Sequence, residues 1–448
     1  MSIRNKVALR AVLGLFVIAA LFLGWQFLSE FLQDPEIFEE ADTAGMIAAV
    51  EEKDNGSQAV IFTPEGEKLT SPGWTPGTRE QTPTWIGDGD HLYFVADREE
   101  RAFHIYRWIP GKEEVSRRSF GTSSVTTPVT DFNDHPLSET TMLVRKGGTM
   151  SLLDLAEGST ESQILPPPPQ RLEATGEEGF TSTFDRIYEA IGDSFETVVW
   201  GPDRDWVLAV MNRAEGGEVL VFQRIVPFSE DPELQAFELR PQPLYSGAAI
   251  DVDVNAQGLI AVAIRGFRWN NTAQIPEQFF EQVEGRRVAQ DLFENALFLL
   301  EVDDATGLIP VDAEAGLPAT AVPLFIQPSE RPGLEASPVP AVITPRISPN
   351  GDRVMAVLGL FGEGGFQSQQ LLVMPAREAG VQQAATLATG QVRSPAWSPG
   401  GDLIAFIEDL ESGASLVRMN SSGGDRTVLS EEGDYAAPVF SPQLPAGE

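Results

Sequence analysis

One short pattern recurs along this chain, and it restricts the possible folds more than any other feature. Its clearest copy is Pro395-Ala396-Trp397-Ser398-Pro399-Gly400-Gly401-Asp402-Leu403-Ile404-Ala405-Phe406. It predicts a short strand, a tight turn built by Pro and Gly-Asp, and a second strand of apolar residues. Related stretches begin at Pro345, Pro83 and Val199, and weaker ones at Pro128 and Val252. Each is followed by another strand-like run, such as Ile105–Trp108, Val219–Phe222, Leu297–Val302, Leu371–Met374 and Leu416–Met419. Apolar runs of four to six residues are strands buried between stacked sheets. A chain of 448 residues would ordinarily suggest two or three domains, but a repeat fold grows by adding units.

The two ends of the chain complete one unit between them. Pro438-Val439-Phe440-Ser441-Pro442 begins a further copy, and the sequence then ends at Glu448. Near the other end, Met46–Ser71 has the order of strands that follows Trp397, without the strand that should precede them. The last strand is therefore expected to supply the missing first strand, which hides sheet edges that an open array would expose. Counting that shared unit once predicts seven.

These residues resemble the TolB-type propeller repeat, a relative of the WD-repeat propellers whose consensus centres on P-x-W-S-P-D-G. The resemblance covers most of residues 44–445. It implies an all-β, seven-bladed β-propeller closed by the C-terminal strand, and it says little about activity, because propellers host scaffolds, peptidase gates and lyases alike. TolB itself carries an α/β domain before its propeller and a cleaved signal. Neither is evident here, so its binding to the Pal lipoprotein is not carried over.

Three segments exceed ordinary connections. They are residues 166–197, 266–295 and 312–344, and the strand count places all three on one face of the propeller, in one sector. The first opens with Pro166–Pro169 and continues with Phe184, Ile187, Tyr188 and Ile191 at helical spacing. The second offers Phe279, Phe280, Val283, Leu292 and Phe293 as the apolar side of a helix. The third is Pro-rich and is read as a loop. Phe184, Tyr188, Phe279, Phe280 and Phe293 are the candidate partner-binding rim. The competing reading packs these aromatics back on the propeller.

Residues 11–29 contain no charge and eleven Val, Leu, Ile or Phe residues, long enough to cross a hydrocarbon core of ~30 Å as a helix. Arg4, Lys6 and Arg10 precede the run, while Glu30, Asp34 and Glu36 follow it. The positive-inside rule then leaves residues 1–10 in the cytoplasm and everything after the linker 30–43 outside. Gly24-Trp25-Gln26-Phe27-Leu28 lacks the small residues of a cleavage site, which favours an uncleaved anchor over a signal peptide. The expected location is the bacterial cytoplasmic membrane, single-pass, with the propeller in the periplasm. All 66 Asp and Glu follow this segment, and the chain carries a net charge of −35. Such a body repels nucleic acid and suits basic partners or divalent cations. Scarce Lys fits both salt adaptation and a GC-rich genome. With no cysteine, thiolate metal sites and cysteine nucleophiles are excluded.

Motifs of catalysis are scarce. The three histidines, His91, His104 and His135, form no H-x-x-x-H pair and are read as surface or turn residues. There is no G-x-S-x-G elbow and no phosphate loop. Asp251, Asp253 and Asn255 alternate on what should be an innermost strand, so all three would face the central channel. Their oxygens would suit a hard cation such as Ca²⁺, against a solvated channel wall. The expectation is a membrane-anchored, non-catalytic scaffold binding a protein of the cell envelope. The alternative is a propeller hydrolase or lyase that uses channel-facing carboxylates and a divalent metal.

Overall fold

Runs such as Ile404-Ala405-Phe406-Ile407 are fully buried along their whole length, because both faces of their strand are covered. Ile404 and Phe406 pack with Met355, Val357 and Leu371 on one side. Ala405 and Ile407 pack with Ile47, Ala49 and Val60 on the other. The strand is thus the middle of three stacked layers, and the rest of the fold repeats that arrangement.

The structure is a computed structural model. It describes residues 42–118 without 87–88 and 100–101, and residues 339–443 without 363–364, 377–382, 411–412 and 431–432. Between these it describes the strands of three further sheets and two hairpins, and positions 201, 255, 257–258 and 285. Asp42–Glu448 is one compact unit, and every described strand belongs to it. The apolar run 11–29 lies outside the described residues, among which no helix is long and apolar enough to cross a membrane.

The unit is all-β: five four-stranded sheets, one eight-stranded sheet and two two-stranded hairpins. The eight-stranded sheet is two antiparallel meanders joined by a single parallel bridge, Ala414↔Asp434. In spatial order, the first meander is Asp434–Phe440, Ile47–Lys53, Gly56–Phe62 and Lys68–Thr70. The second is Glu80–Ile86, His91–Glu99, Ala102–Trp108 and Val115–Arg117. The third is Val129–His135, Ser138–Lys146, Thr149–Asp154 and Thr160–Leu165. The fourth is Ile191–Trp200, Trp206–Arg213, Glu218–Arg224 and Gln242–Pro243. The fifth is Ala248–Val254, Leu259–Arg268, Leu292–Glu301 and Val322–Pro328. The sixth is Val339–Ile347, Arg353–Gly362, Gly365–Pro375 and Ala385–Thr389. The seventh is Gln391–Trp397, Leu403–Leu410, Gly413–Asn420 and Thr427–Ser430.

Apolar layers lie between successive meanders. Leu259, Ala261 and Leu297 of the fifth meet Val342, Val354 and Ala356 of the sixth. Ala48, Ala59 and Ile61 of the first meet Leu92, Phe94 and Tyr106 of the second. The seventh packs on the first, so the last sheet of the chain adjoins the one its N-terminus enters.

The turn after Trp397 is held by Ser398. Its backbone N–H donates to Leu403 O at 2.9 Å, and its hydroxyl donates to Asp402 Oδ1 and accepts from Leu403 N, each at 2.9 Å. Gly401, at φ 73°, supplies the left-handed turn residue. Ser348, Asp352, Arg353 and Gly351 repeat the arrangement. At the junction of the termini the same turn is made from two chain ends. Ser441 N donates to Met46 O at 2.9 Å, Met46 N to Thr43 O, and the Thr43 and Ser441 hydroxyls meet at 2.8 Å.

The Pro two residues before the Trp lies inside the strand, while Pro399 sits in the turn as expected. Thr82, Thr344, Ser394 and Ala437 have φ of 50–52°, and each stands three residues before Trp85, Ile347, Trp397 or Phe440. Each is followed by Pro, and pairing with the next strand slips at that point in all four meanders. Pro disfavours the right-handed helical region for the residue before it and lacks an N–H, so a bulge here leaves no donor stranded.

The expected helices give way to strands where the chain is described. Phe280–Val283 and Arg286–Ala289 form a hairpin, with Gly285 at φ 78° in its two-residue turn. Leu292 and Phe293 open the third strand of the fifth meander, Phe293 opposite Phe267. The 3–4 spacing of these aromatics resembled a helical face, but Gly285 ends any helix there. Ile191, assigned to the first helix, begins a strand; Phe184, Tyr188 and Phe279 lie outside the described residues.

The third insertion also divides. Val322–Pro328 is the fourth strand of its meander, so 302–321 joins strands three and four, and only 329–338 connects the fifth meander to the sixth. In a meander alternate connections share an edge. Residues 166–190 and 269–291 therefore share one edge of the sheets, and 302–321 emerges at the opposite one.

Candidate functional site

Asp251 and Asp253 alternate on the first strand of the fifth meander, Asn255 follows its end, and all three reach the sixth meander. Asp251 Oδ2 accepts from Arg346 Nη1 at 3.3 Å, Asp253 Oδ2 accepts from Ile347 N at 2.7 Å, and Asn255 Nδ2 points at Ser348 O at 3.5 Å. Successive side chains of one strand thus meet successive residues of the next. Asn255 Oδ1 also accepts Leu259 N at 3.0 Å, which closes the turn to the second strand. Gly351 lies so close that a Cβ there would stand 3.0 Å from Asn255 Nδ2.

The positive charge beside the carboxylates is the guanidinium of Arg346, itself tied to Pro345 O at 2.6 Å. Among the described residues no group of three or more His, Cys, Asp or Glu is placed to hold a metal. The Asp253 carboxyl is strongly perturbed. Burial pushes it up to about 6; Arg346 and the N–H groups of Ile347 and Val254 pull the other way, and Asp251 adds to the rise.

The same seam exists elsewhere with different chemistry. Trp397 Nε1 donates to Arg346 O at 2.9 Å, and Trp85 Nε1 donates to Val439 O at 3.2 Å. The sixth meander has Ile347 at the Trp position and so lacks that donor. Asp253, one position before the end of its own strand, reaches back and takes the backbone N–H of Ile347 instead.

A second row of ties carried no sequence signal of its own. Ser57 Oγ accepts Glu80 N at 3.2 Å, Asn295 Oδ1 accepts Val342 N at 2.9 Å, and Ser368 Oγ accepts Val392 N at 2.9 Å. Each acceptor lies in the first half of a third strand, and each donor stands five residues before Trp85, Ile347 or Trp397. In the seventh meander Ala414 holds that place, and the backbone bridge to Asp434 replaces the side chain.

Glu80 is the most enclosed charge described, fully buried between the first two meanders. It accepts from Ala59 N at 2.9 Å and from Ser71 Oγ and Arg98, each at 2.5 Å. The Arg98 guanidinium lies 5.4 and 5.6 Å from the ring centres of Phe94 and Tyr106, which stack on each other. Burial raises the Glu80 carboxyl in spite of these donors. Of the histidines, His91 bonds Asp90 at 2.6 Å beside a turn, as expected. His104 is buried against Arg117 rather than exposed.

No protein-family profile and no curated protein matches this sequence. Solved structures do resemble it. The β-propeller domain of Cps50 (Swd1) from Myceliophteria thermophila aligns over 81% of this chain and 90% of its own, at 12% identity and TM-score 0.47. TolB from Acinetobacter baumannii aligns over 90% and 68%, at 12% identity and TM-score 0.43. The periplasmic gluconolactonase PpgL of Pseudomonas aeruginosa aligns over 89% and 100%, at 12% identity and TM-score 0.48. The expectation that this protein is without catalysis does not stand beside the last of these, which is an enzyme. These likenesses concern architecture alone. The chain is an all-β protein of stacked four-stranded meanders, similar in that arrangement to solved β-propellers.

Proposed function

We propose that this chain is a bacterial envelope protein tethered by residues 11–29, with its seven meanders closed into a seven-bladed ring outside the cytoplasmic membrane. The ring serves as a protein-binding platform, and its working edge is the one that carries 166–190 and 269–291. One observation supports that choice most. The second and third strands run 10 and 10 residues in the fifth meander and 10 and 11 in the sixth, against 7 and 7 in the first and 8 and 8 in the seventh. Two or three extra residues per strand raise that edge by about 7–10 Å in one sector. The hairpin at 280–289 adds to it, with Gly285, Arg286 and Arg287 exposed at its tip.

A photo-crosslinking residue in place of Arg286, in intact cells, tests this reading. The expected result is a discrete protein adduct that is missing when the same residue replaces the exposed Glu113, on the opposite edge. Replacing 269–291 with a two-residue turn should leave the melting temperature unchanged and abolish capture of the same protein. Adducts of equal yield at both positions would refute the rim.

A second reading, a hydrolase or lyase working from the innermost strands, is favoured by one observation, the Asp253 carboxyl held near 6 beside Arg346. It requires a turnover of ester, lactone or glycoside substrates that Asp253→Asn abolishes. Equal turnover by the variant would end it.

A further inference from the structure

An Asn followed by Gly is prone to lose ammonia, because a glycine has no side chain to shield its amide nitrogen from the carboxamide before it. This chain has two such pairs, Asn55-Gly56 and Asn350-Gly351, and both asparagines are exposed at turns. The structure treats them differently.

Asn350 is fastened. Its Oδ1 lies 2.8 Å from Ser348 Oγ and 3.4 Å from Asp352 N. Gly351 N donates to Ser348 O at 2.8 Å, and Gly351 stands against the side chains of Asn255 and Gln257. Carboxamide and nucleophile are both held by the Ser348 turn. Asn55 instead occupies the two-residue turn between Ile47–Lys53 and Gly56–Phe62. Among the described residues no hydrogen bond reaches its carboxamide. The tip is closed by the terminal pair Lys53↔Gly56 and by Gly77 N, which donates to Asn55 O at 2.5 Å. End pairs of a hairpin open at little cost.

We propose that Asn55 is a site of spontaneous covalent modification, and that its conversion loosens the connection between the first two meanders. The Gly56 amide gives its proton to hydroxide, and its nitrogen bonds to Asn55 Cγ. The bond from Cγ to the carboxamide nitrogen breaks, and that nitrogen takes a proton from water and leaves as ammonia. Water then opens the five-membered imide. Cleavage at Cγ leaves an aspartate, whereas cleavage at the main-chain carbonyl leaves an isoaspartate with one more atom in the backbone.

The tip has no room for that atom. Gly56, at φ 133°, is packed so closely on Thr78 O that even a Cβ would collide with it. In the isoaspartate the oxygen that holds Gly77 belongs to a carboxylate off the main chain. The other ties of this connection start one residue away. Ser57 N donates to Thr78 O at 3.1 Å, and Trp74 Nε1 donates to Ser57 O at 2.8 Å and to Thr78 O at 3.1 Å. The position lies in the first meander, apart from the rim of the fifth and sixth, so either proposal can fail without the other.

The test incubates the full chain at pH 8.5 and at pH 6, with and without urea, and maps it by mass spectrometry. In the folded chain at pH 8.5, position 55 should gain about one dalton at least about tenfold faster than position 350, the factor that one or two more hydrogen bonds at the slower site impose. In urea the two rates should converge, and at pH 6 both should fall. Isoaspartyl methyltransferase should label the aged chain at position 55. Amide-exchange protection should be lost at Ser57 and Gly77 of the aged chain and kept at Gly351. Asn55→Gln should abolish the mass gain at that position and keep the protection on ageing. Freshly prepared Asn55→Asp, which adds the charge without the extra backbone atom, should also keep it. If Asn55→Gln fails to fold, the rates at the two positions of the unsubstituted chain decide. The proposal is overturned if position 350 converts as fast as position 55 in the folded chain, if position 55 stays unmodified there while it reacts in urea, or if the aged chain keeps its protection at Gly77.

Discussion

At the scale of single residues, the carboxylates of the fifth meander act as fasteners. Asp253 takes the backbone N–H of Ile347 where the neighbouring seams use a Trp side chain, and its carboxyl is pushed up to about 6, mainly by burial. A carboxyl raised in the folded state contributes stability that is fully present below its unfolded value, near 3.9, and is lost as pH rises through about 6. Asp253→Asn should flatten the stability–pH curve over that window by on the order of 1–3 kcal/mol, read from urea melts at pH 4 and pH 7. An unchanged slope would contradict the placement of this residue. Trp397→Phe removes the donor to Arg346 O and should cost about 0.5–1.5 kcal/mol at either pH. Alternation in Asp251-Val252-Asp253-Val254-Asn255 was enough to place three polar groups on one side of an innermost strand. That they face a neighbouring sheet was not legible, because their partners lie more than ninety positions away.

At the scale of elements, the repeat is two devices in sequence, a left-handed bulge and a Ser-held turn. Both could be found from the spacing of Pro395, Trp397, Ser398 and Gly401, but only the turn could be interpreted. Pro399 beside Gly400-Gly401-Asp402 reads as turn chemistry, but nothing local reveals that Pro395 follows a residue at φ 51° inside a strand. Ser394→Gly should therefore be nearly neutral or stabilising by up to about 1 kcal/mol, since it relieves a strained backbone in an otherwise unchanged bulge. A loss comparable to that of a buried-core substitution would contradict the bulge. Gly433→Ala should act in the opposite sense. At φ 140° its Cβ would stand 2.6 Å from the Tyr435 ring, and a loss of more than about 2 kcal/mol is expected in thermal melts. The helical reading of 276–294 failed for a related reason: apolar spacing of three and four fits both a helix and a hairpin whose turn falls between, and Gly285 decides for the hairpin.

At the scale of the whole molecule, the two chain ends share a sheet. Asp434–Phe440 pairs with Ile47–Lys53, and the joint is pinned at both ends. At one end Tyr435, fully buried, donates to Glu51 Oε1 at 3.2 Å, and Lys68 reaches the same oxygen at 2.5 Å. Burial alone would raise the Glu51 carboxyl, but Lys68 and Lys53 hold it below its ordinary value, so this clasp weakens only as pH falls through the carboxylate range. At the other end Thr43 bonds Ser441, Gly89 O and Gln443. This closure was legible because a half-repeat at each terminus has no other partner. The insertions were less so, since composition marks their length but not the strands within them.

The proposed ring closure can be tested directly because the chain has no cysteine. Ala48 and Val439 are register partners across the closing strands, so Ala48→Cys with Val439→Cys introduces the only two thiols. On mild oxidation the pair is predicted to form an intramolecular disulfide in nearly every molecule and to raise the melting temperature, because it closes a loop of almost the whole chain, worth about 2–5 kcal/mol. Thiols that stay free, or that link only between molecules, would contradict a ring closed by its own two ends.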